Sequence, residues 1–517
     1  MGDPSTMLSF DEYIRHWAAN RPEAVALEEG GERASFAELE RRTAQAAMLF
    51  RQLGVEPGDR IAWLGKNARL YFELFYAAGR YGAVMVPIGW RLAAPEVAFI
   101  IADTGARVLF TDAGFDEAAA AACAGLDKTP QVVGSKDARA AIDAARPAQF
   151  APAAPDDPVL QLYTSGTTGN PKGAVLSNRN LFALRQPGER AGLAWSVWDE
   201  DEALLIAMPC AHIGGTGLGV MAIGAGARAI VQSEFTPEGV LEAFEQGATR
   251  MFIVPAALQM VVQHPRAKTT DFSGVKYVFY GAAPIPLDLL REAVRTIPNA
   301  GFVQCYGMTE TTGTVAVLPP GDHDLAGNER MRSAGHAVPG TQLKIVGEDG
   351  TELPRGGVGE LAVKSPSNML GYWNLPQATR EALQDGWMQT GDAAYMDEDG
   401  YVFIQDRIKD MIISGGENVY PAQVESAIYG HPAVAEVAVI GVPDDHWGEA
   451  VKACVVAKPG ERIDPEAIIA WTRERLAGFK VPKSIEIIPA LPRNQSGKIL
   501  RRELRAPYWE GRERQVN

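Results

Sequence analysis

The sequence has few cysteines, no long apolar run and no excess of basic residues, and each of these features excludes a class of protein. The four cysteines have neither metal-site nor redox-pair spacing, so we expect no disulfide framework and a reducing, cytoplasmic location. No apolar run reaches the roughly eighteen residues of a membrane span, and the N-terminal stretch lacks the pattern of an export signal. The net charge of −15 argues against a nucleic-acid partner, which would require a basic face.

The rest of the composition indicates a folded chain with more than one domain. Its 517 residues, 46% of them hydrophobic, are too many for a single compact core. We expect an α/β fold with a large N-terminal domain over 1–408 and a small α+β C-terminal domain over 409–517. The large domain would hold two stacked α/β subdomains joined by the Ala- and Pro-rich linker 144–158. It would also hold a small β-barrel over about 325–405, where short alternating strands meet Gly-Asp turns.

Several apolar runs, each ending in a polar or glycine-rich loop, are predicted as strands of parallel sheets. These runs are RIAWLGK, ARVLFTD, VLQLYT, LLIAMP, ATRMFIVPAAL, VKYVFYG and GFVQCYG. The stretch after LLIAMP is predicted as a glycine-rich turn. Because the carboxyl ends of parallel strands meet at one edge of a sheet, we expect the ligand site in the loops at that edge.

One loop, YTSGTTGNPKGAV over 163–175, combines three glycines, four hydroxyl side chains and a single lysine. Glycines let backbone N–H groups approach an anion, and Lys172 adds a point charge, so the loop suits a chain of phosphates. It is not the common nucleotide loop, because Lys172 is followed by Gly173 and a predicted strand rather than by Ser or Thr and a helix. The simpler interpretation is an ordinary Gly/Thr hairpin.

Further motifs follow in order along the chain. They are YGAAPIP, YGMTE, TGD, DRIKDMIISGGENVYPAQVE and PRNQSGKILRREL, together with PCAHIGGTG and GVPDDHWGE. With the loop, they make the whole chain resemble the adenylate-forming (AMP-forming) acyl-CoA synthetase superfamily, most closely the bacterial fatty acyl-CoA synthetases of medium- or long-chain preference. The resemblance implies that ATP, Mg²⁺ and a small-molecule carboxylic acid give an acyl-adenylate, and that coenzyme A then gives a thioester.

The resemblance also implies a role for individual residues in binding ATP. The loop residues around its phosphates are Thr164, Ser165, Gly166, Thr167, Thr168, Gly169 and Lys172. The residues around the adenine are Gly281, Ala282, Ala283 and Tyr306, and those on the ribose are Asp392 and Arg407. Thr309 would contact the α-phosphate and Glu310 would hold Mg²⁺. Lys498 would bridge the acid and the α-phosphate, and with Lys172, Thr309 and Glu310 it completes the expected catalytic set.

Each of these residue types has an ordinary structural alternative. Tyr306 alone could be a core aromatic, Asp392 and Arg407 a surface ion pair, and Glu310 or Lys498 a solvated charge. For the acid pocket, the resemblance points to His212, Gly214 and Gly215. His212 would gate an acyl tunnel, or would be a satisfied core histidine. The glycines would leave volume for the acid, or would let a helix pack closely.

The stretch IGGTGLGVMAIGAGA after His212 carries no charge, which favours an apolar acid, with a fatty acid as the main hypothesis and a ring-containing acid as an alternative. A carrier-protein-loading adenylation enzyme, a luciferase-like oxygenase and a non-catalytic binding protein are the other classes considered. The last would be expected to lack Lys498 or Glu310. The sequence leaves the oligomeric state open, with a homodimer as one arrangement.

The resemblance finally implies a mobile C-terminal domain that presents two faces in turn to one active site. Lys409 matches the hinge position. Gly416 would leave room for the pantetheine arm of coenzyme A. The alternative is that Ser414-Gly415-Gly416 is an ordinary hairpin turn.

Overall fold

A computed structural model describes residues 3–148, 150–151, 153–164, 171–324, 326–493 and 499–510. The chain folds as α/β, with a large N-terminal part and a small C-terminal part. The α-helices are Phe10–Asn20, Phe36–Gln52, Arg69–Tyr81, Ala94–Thr104, Asp116–Cys123, Ser135–Ala144, Asn178–Phe182, Arg185–Arg190, Ile213–Ala225, Pro237–Glu245, Pro255–Val262, Leu287–Thr296, Pro376–Ala382, Pro421–Tyr429, Pro465–Arg473 and Arg501–Trp509. Among the residues that the structure describes, no helix has both the length and the hydropathy of a membrane span.

The largest sheet has nine strands, parallel in its middle and antiparallel at both edges. In spatial order they are His336–Ala337, Gly313–Leu318, Gly301–Met308, Tyr277–Gly281, Arg250–Ile253, Ala203–Ile206, Arg228–Val231, Val25–Glu29 and Glu32–Ser35. The predicted strands LLIAMP, VKYVFYG and GFVQCYG are confirmed here, as apolar runs that fit a sheet buried on both faces. Only the first part of ATRMFIVPAAL is a strand, because its last four residues begin the helix Pro255–Val262.

A second sheet of seven strands contains the predicted strands RIAWLGK, ARVLFTD and VLQLYT. Its order is Gly371–Tyr372, Lys172–Ser177, Pro158–Thr164, Val84–Ile88, Arg60–Leu64, Val108–Thr111 and Gln131–Gly134. Val84–Ile88 and Pro158–Thr164 pair in parallel, although they lie on opposite sides of the stretch 144–158. That stretch therefore joins elements of one sheet, while the early strand Val25–Glu29 belongs to the other sheet.

The region expected to form a barrel is a five-stranded antiparallel sheet. Its strands are Gln342–Val346, Gly359–Lys364, Trp387–Met396, Leu383–Gln384 and Val402–Arg407. The long strand Trp387–Met396 is central, since it pairs with three of the others. Its partner Val402–Arg407 is the last strand before the C-terminal part, so this sheet carries the connection between the two parts.

The C-terminal part has its own five-stranded sheet and core. The strands are Glu417–Val419, Ile412–Ser414, Gly448–Ala457, Val434–Asp444 and Ser484–Ile487. The helices Pro421–Tyr429, Pro465–Arg473 and Arg501–Trp509 accompany them. The predictions of two long strands between two helices are confirmed, since VAEVAVIGVPD and VKACVVAK form the antiparallel pair at the centre.

The prediction of a glycine-rich turn after LLIAMP is wrong, because this stretch forms the 13-residue helix Ile213–Ala225. Glycine is a poor helix former, so packing must favour the helix here. A Cβ atom on Gly219 would lie 2.3 Å from the ring of Phe72. Tyr76 donates a hydrogen bond of 2.8 Å to the Gly219 carbonyl. The small residues thus allow the helix to lie directly against the buried aromatic helix Arg69–Tyr81.

This packing predicts that Gly219→Ala lowers thermal stability, whereas Gly217→Ala does not. A Cβ at Gly219 overpacks the core, which typically costs about 1–3 kcal/mol. At Gly217 the nearest atom to a Cβ is 3.6 Å away, on Ile213 of the same helix, so alanine should add about 0.5–1 kcal/mol of helix propensity. Thermal unfolding of the two variants measures the difference, and equal melting temperatures would contradict the packing argument.

Candidate functional site

The site begins where two parallel strands, Tyr277–Gly281 and Gly301–Met308, end side by side. Gly281 lies opposite Cys305, and a Cβ on Gly281 would be 2.1 Å from the Cys305 carbonyl oxygen, so only glycine permits this approach. The next residue, Ala282, has a φ of +64°, an uncommon conformation for a residue with a side chain. The chain therefore turns sharply away from the sheet at Ala282 and Ala283, at the edge where a ligand site is expected.

A chain of polar contacts connects this edge to the antiparallel sheet. Tyr306 donates a hydrogen bond of 2.6 Å to Asp392 Oδ2, and Arg407 Nε lies 2.7 Å from Asp392 Oδ1. Asp392 and Arg407 face each other across neighbouring strands. Burial raises the pKa of the Tyr306 phenol well above its usual range, and the neighbouring Asp392 carboxylate raises it further. The phenol therefore stays protonated and donates. The structure thus brings Tyr306 together with Asp392, which lies 86 positions further along the chain, and with Arg407.

A second polar group lies around Glu310, in the turn Thr309–Thr311 that directly follows the strand ending at Met308. The Glu310 side chain is buried, and Oε1 accepts a hydrogen bond of 2.8 Å from the hydroxyl of Tyr372. Burial, and then the Glu310 carboxylate, raises the pKa of Tyr372 above its usual range. The Nζ atom of Lys172 lies 5.1 Å from the centre of the Tyr372 ring. Tyr372 therefore contacts both the expected metal ligand and the expected phosphate-binding lysine.

Thr164 and Lys172 are the described ends of the loop singled out in the sequence. They pair with each other where the antiparallel strands Pro158–Thr164 and Lys172–Ser177 lie side by side. Ser165, Gly166, Thr167, Thr168 and Gly169 lie outside the described residues. The strand predicted after Lys172 is confirmed.

A cavity of about 1090 Å³ opens beside these strand ends, between the large and small parts. From the large part it is lined by Ala282, Ala283, Tyr306, Asp392 and Arg407, all expected at the nucleotide. From the small part it is lined by Gln423, Ser426, Trp471, Arg475 and Arg501, among others. Its volume is slightly above the usual range for small-molecule sites, so it can hold a nucleotide-sized ligand.

Lys498 lies outside the described residues, but the residues that flank its segment are described. Arg493 and Ile499 form an antiparallel bridge, and the Leu500 N–H donates to the Pro492 carbonyl at 2.8 Å. Arg493 and Ile499 also line a smaller cavity of about 190 Å³ together with Ala282 and Ala283. The base of the segment that carries Lys498 therefore lies next to the Ala282 turn.

The residues expected in the acid pocket lie at the start of the helix Ile213–Ala225. His212 precedes its first residue, and its Nε2 is buried without a hydrogen-bond partner among the described residues. Burial lowers the pKa of His212 to about 4, so the ring is neutral near pH 7. A Cβ on Gly215 would lie 2.2 Å from the Pro209 carbonyl oxygen, so close packing explains this glycine. A Cβ on Gly214 would instead meet the ring of Phe252 at 3.0 Å.

Lys409 and Gly416 lie at the beginning of the small part. Lys409 is in the short 3₁₀ turn Ile408–Asp410, between the last strand of the large part and the strand Ile412–Ser414. Gly415 and Gly416 have φ values of +63° and +85° and connect the two paired strands Ile412–Ser414 and Glu417–Val419. Positive φ at both central residues is typical of a type I′ hairpin. The turn alone therefore requires glycine at Gly416, and the prediction that it also makes room for pantetheine stays a prediction.

Two side chains of the site were missed by the sequence analysis. Tyr372 stands in GYWN, between two of the quoted motifs, and only its contact with Glu310 connects it to the site. Arg501 stands inside the quoted motif PRNQSGKILRREL, but nothing in its spacing indicates that it lines the main cavity. Both are brought in by contacts over long sequence separations.

Family models match most of the chain. Residues 14–373 match the AMP-binding enzyme model, and residues 423–498 match the AMP-binding enzyme C-terminal domain. The chain therefore belongs to the AMP-binding enzyme family.

Individual relatives match over nearly their whole length. The fatty acid–[acyl-carrier-protein] ligase ScoC of Streptomyces coeruleorubidus is 41% identical over 97% of this chain and 96% of its own. A feruloyl-CoA synthase of an Amycolatopsis species is 44% identical over 94% of this chain and 96% of its own. The ATP-bound structure of MatB from Rhodopseudomonas palustris is 32% identical, with a TM-score of 0.88 over 98% of this chain and 100% of that chain. The apo structure of MatB has the same identity and coverage but a TM-score of 0.76.

The contact between Tyr372 and Glu310 predicts that Tyr372→Phe weakens the binding of Mg²⁺ with ATP. The lost hydroxyl hydrogen bond leaves the buried carboxylate less well oriented, and such a contact around a metal ligand is typically worth 10- to 100-fold in affinity. Titration of Mg²⁺ at fixed ATP, followed by nucleotide binding, measures the effect. Tyr395→Phe is the control for loss of a tyrosine hydroxyl, since Tyr395 lines the main cavity and stacks on Phe403. An unchanged Mg²⁺ requirement in Tyr372→Phe would contradict the assignment.

Proposed function

We propose that this protein is an AMP-forming acid–thiol ligase that activates an apolar carboxylic acid with ATP and transfers the acyl group to coenzyme A. The observation that carries the proposal is the cavity at the strand ends, where Asp392 accepts a hydrogen bond from Tyr306, forms an ion pair with Arg407 and faces the small part of the chain. Membership of the AMP-binding enzyme family supports the ATP and AMP chemistry. The products are acyl-CoA, AMP and pyrophosphate.

In this proposal, the polar chain around Asp392 binds the nucleoside half of ATP. The ring of Tyr306 flanks the adenine, with the backbone of Gly281, Ala282 and Ala283 beside it. A carboxylate that accepts and a guanidinium that donates suit the two neighbouring hydroxyls of ribose. Asp392 and Arg407 are already ordered by each other and by Tyr306, so little side-chain entropy is lost on binding.

The phosphates and the acid bring negative charges together, so the site must supply positive charge where the new bond forms. Lys172 serves the β- and γ-phosphates with the loop residues 164–169, and Thr309 contacts the α-phosphate. Glu310 fits a Mg²⁺ ligand, because it is a buried carboxylate at the strand end, oriented by Tyr372, and hard ions prefer carboxylate and phosphate oxygens. Bound Mg²⁺ would neutralise charge on the phosphate oxygens. Lys498 bridges the acid and the α-phosphate.

The acid is apolar, because the pocket segment offers it no fixed counter-charge. From Cys210 to Gly226 the only ionisable side chain besides the buried thiol is His212, which is neutral near pH 7. A fatty acid is the main hypothesis, in keeping with ScoC, which is named for a fatty acid. A ring-containing acid is the second candidate. Two observations favour this second candidate. The aromatic rings packed against Gly219 fill the space that this glycine leaves, so the pocket there is short. The 44% identical relative is named for feruloyl-CoA.

The small domain alternates between two arrangements in this proposal, with Lys409 as the hinge. The higher TM-score against ATP-bound MatB than against apo MatB supports assigning the present arrangement to the ATP-dependent step.

A reducing, cytoplasmic location accompanies the proposal, since all four cysteines are free.

A panel of carboxylic acids tests the substrate class. Within the length that the pocket accepts, each added methylene should contribute up to about 0.8 kcal/mol, or about fourfold in kcat/KM. Acid-dependent pyrophosphate release with ATP measures this for C2 to C16 fatty acids, for cinnamic-type acids and for malonate. Acetate or malonate outperforming octanoate would contradict an apolar pocket. Parallel reactions with coenzyme A and with an acyl-carrier protein identify the thiol acceptor.

The role of Lys498 is tested by Lys498→Ala. We expect adenylation to slow by roughly 100- to 1,000-fold, the usual loss for one transition-state donor, with much less effect on thioester formation. Pyrophosphate release measures the first step, and conversion of supplied acyl-adenylate by coenzyme A measures the second. Lys458→Ala in the same domain is the control, because Lys458 is exposed and lines neither cavity. Equal losses in both steps would contradict the assigned role.

A further inference from the structure

An ionic cluster lies where the last helix meets the turn at Lys409. Arg501, the first residue of the helix Arg501–Trp509, makes a forked pair with Glu425, with distances of 2.9 Å to Oε1 and 2.7 Å to Oε2. Its NH1 atom also lies 3.5 Å from Asp406 Oδ1 and 3.8 Å from Asp410 Oδ2. One arginine thus reaches three carboxylates, two of which lie on either side of Lys409.

The three carboxylates belong to different parts of the chain. Glu425 is on the helix Pro421–Tyr429 of the small domain, so it moves together with Arg501. Asp406 is on the strand Val402–Arg407 of the large domain, before the hinge. The contact between Asp406 and Arg501 therefore spans the hinge, whereas the contact between Glu425 and Arg501 does not.

Asp406 makes a second contact across the hinge. Its Oδ2 accepts a hydrogen bond of 2.8 Å from the backbone N–H of Ala422, at the start of the helix Pro421–Tyr429. The residue before this helix, Tyr420, provides no side-chain cap, so the carboxylate of Asp406 serves a helix end of the other domain. Asp406 is buried, and burial raises its pKa to about 6 although Arg501 opposes this. A buried carboxylate in this position depends on its partners, so separating the domains would expose it to water and remove both contacts.

The position of Arg501 connects this cluster to the catalytic segment. The bond from Leu500 to Pro492 and the bridge between Arg493 and Ile499 join the residues on either side of 494–498, and Arg501 follows directly. Holding Arg501 against Asp406 therefore fixes the base of the segment beside Ala282 and Ala283.

We propose that Asp406 and Arg501 form a latch across the hinge, which holds the small domain in the arrangement for adenylation and opens for the thioester step. Both are positioning residues: they act on Lys498 through the domain arrangement rather than through contact with the reacting atoms. The inference rests on the proposed function and deepens it, since it names the contacts that bias the alternation about Lys409.

The test compares Asp406→Asn, Arg501→Gln and the double variant. Each single variant should lower acid-dependent pyrophosphate release about 10-fold and leave conversion of supplied acyl-adenylate to thioester within about twofold. Because the two residues act through one contact, the double variant should lose little more than the worse single variant. Additive losses, or equal losses in both half-reactions, would overturn the latch.

Glu202→Gln controls for a general loss of stability. Glu202 is a buried carboxylate paired with Arg250 within the large domain, so its loss should lower the melting temperature without changing the ratio of the two half-reactions. A changed ratio in this control would also overturn the assignment, because destabilisation alone would then account for the effect.

Amide hydrogen exchange gives a readout that does not depend on activity. The Ala422 N–H should exchange at least about 10-fold faster in Asp406→Asn than in the unmodified protein, while the Val439 N–H, which donates to Glu425, should be unaffected. Unchanged exchange at Ala422 would contradict the contact itself. If no carboxylic acid supports pyrophosphate release in the unmodified protein, the proposed function fails, and the exchange measurement still tests the contact.

Discussion

The arrangement of the site depends on the two contacts that the Asp392 carboxylate makes. It accepts from Tyr306 at the end of the nine-stranded sheet and pairs with Arg407 in the antiparallel sheet. Charge-assisted hydrogen bonds of this kind are short and directional, and a buried carboxylate that loses one partner is strongly destabilised. The antiparallel sheet is therefore tied to the strand ends through Asp392. Because that sheet also carries the turn at Lys409, the same contact determines where the small domain begins.

Most of the strands could be predicted because they are buried on both faces, and such strands are continuous apolar runs bounded by loops. Their assembly into sheets was less accessible. The strand Val25–Glu29 pairs with Arg228–Val231, about 200 residues away, and nothing local to either segment specifies the partner. The prediction of a turn after His212 was wrong for a related reason. Its glycines disfavour a helix locally, and only the rings of Phe72 and Tyr76 from a distant segment make small residues favourable there.

The residues of the candidate site also fall into those that the sequence identifies and those that it does not. Residues within the quoted motifs, such as Tyr306 and Asp392, could be chosen from the sequence because a family resemblance assigns each motif a partner. Tyr372 and Asp406 could not be given their roles, because each role consists of a contact with a residue far along the chain. The turn at Gly416 is a case in which a noticed sequence feature does not identify a function. Its glycines were noticed, but local backbone conformation already accounts for them, so their presence carries little information about coenzyme A.

The neutral ring of His212, whose Nε2 has no hydrogen-bond partner among the described residues, has a consequence for the proposed acid pocket. A cationic residue at this depth would attract the carboxylate and hold it at the wrong end. A ring that remains uncharged until about pH 4 offers no such competing minimum. In the proposed arrangement, the electrostatic attraction for the acid's head group then comes from the lysines and Mg²⁺ around the phosphates. On the proposed function, the acid would bind with its carboxylate toward the nucleotide and its apolar end toward His212.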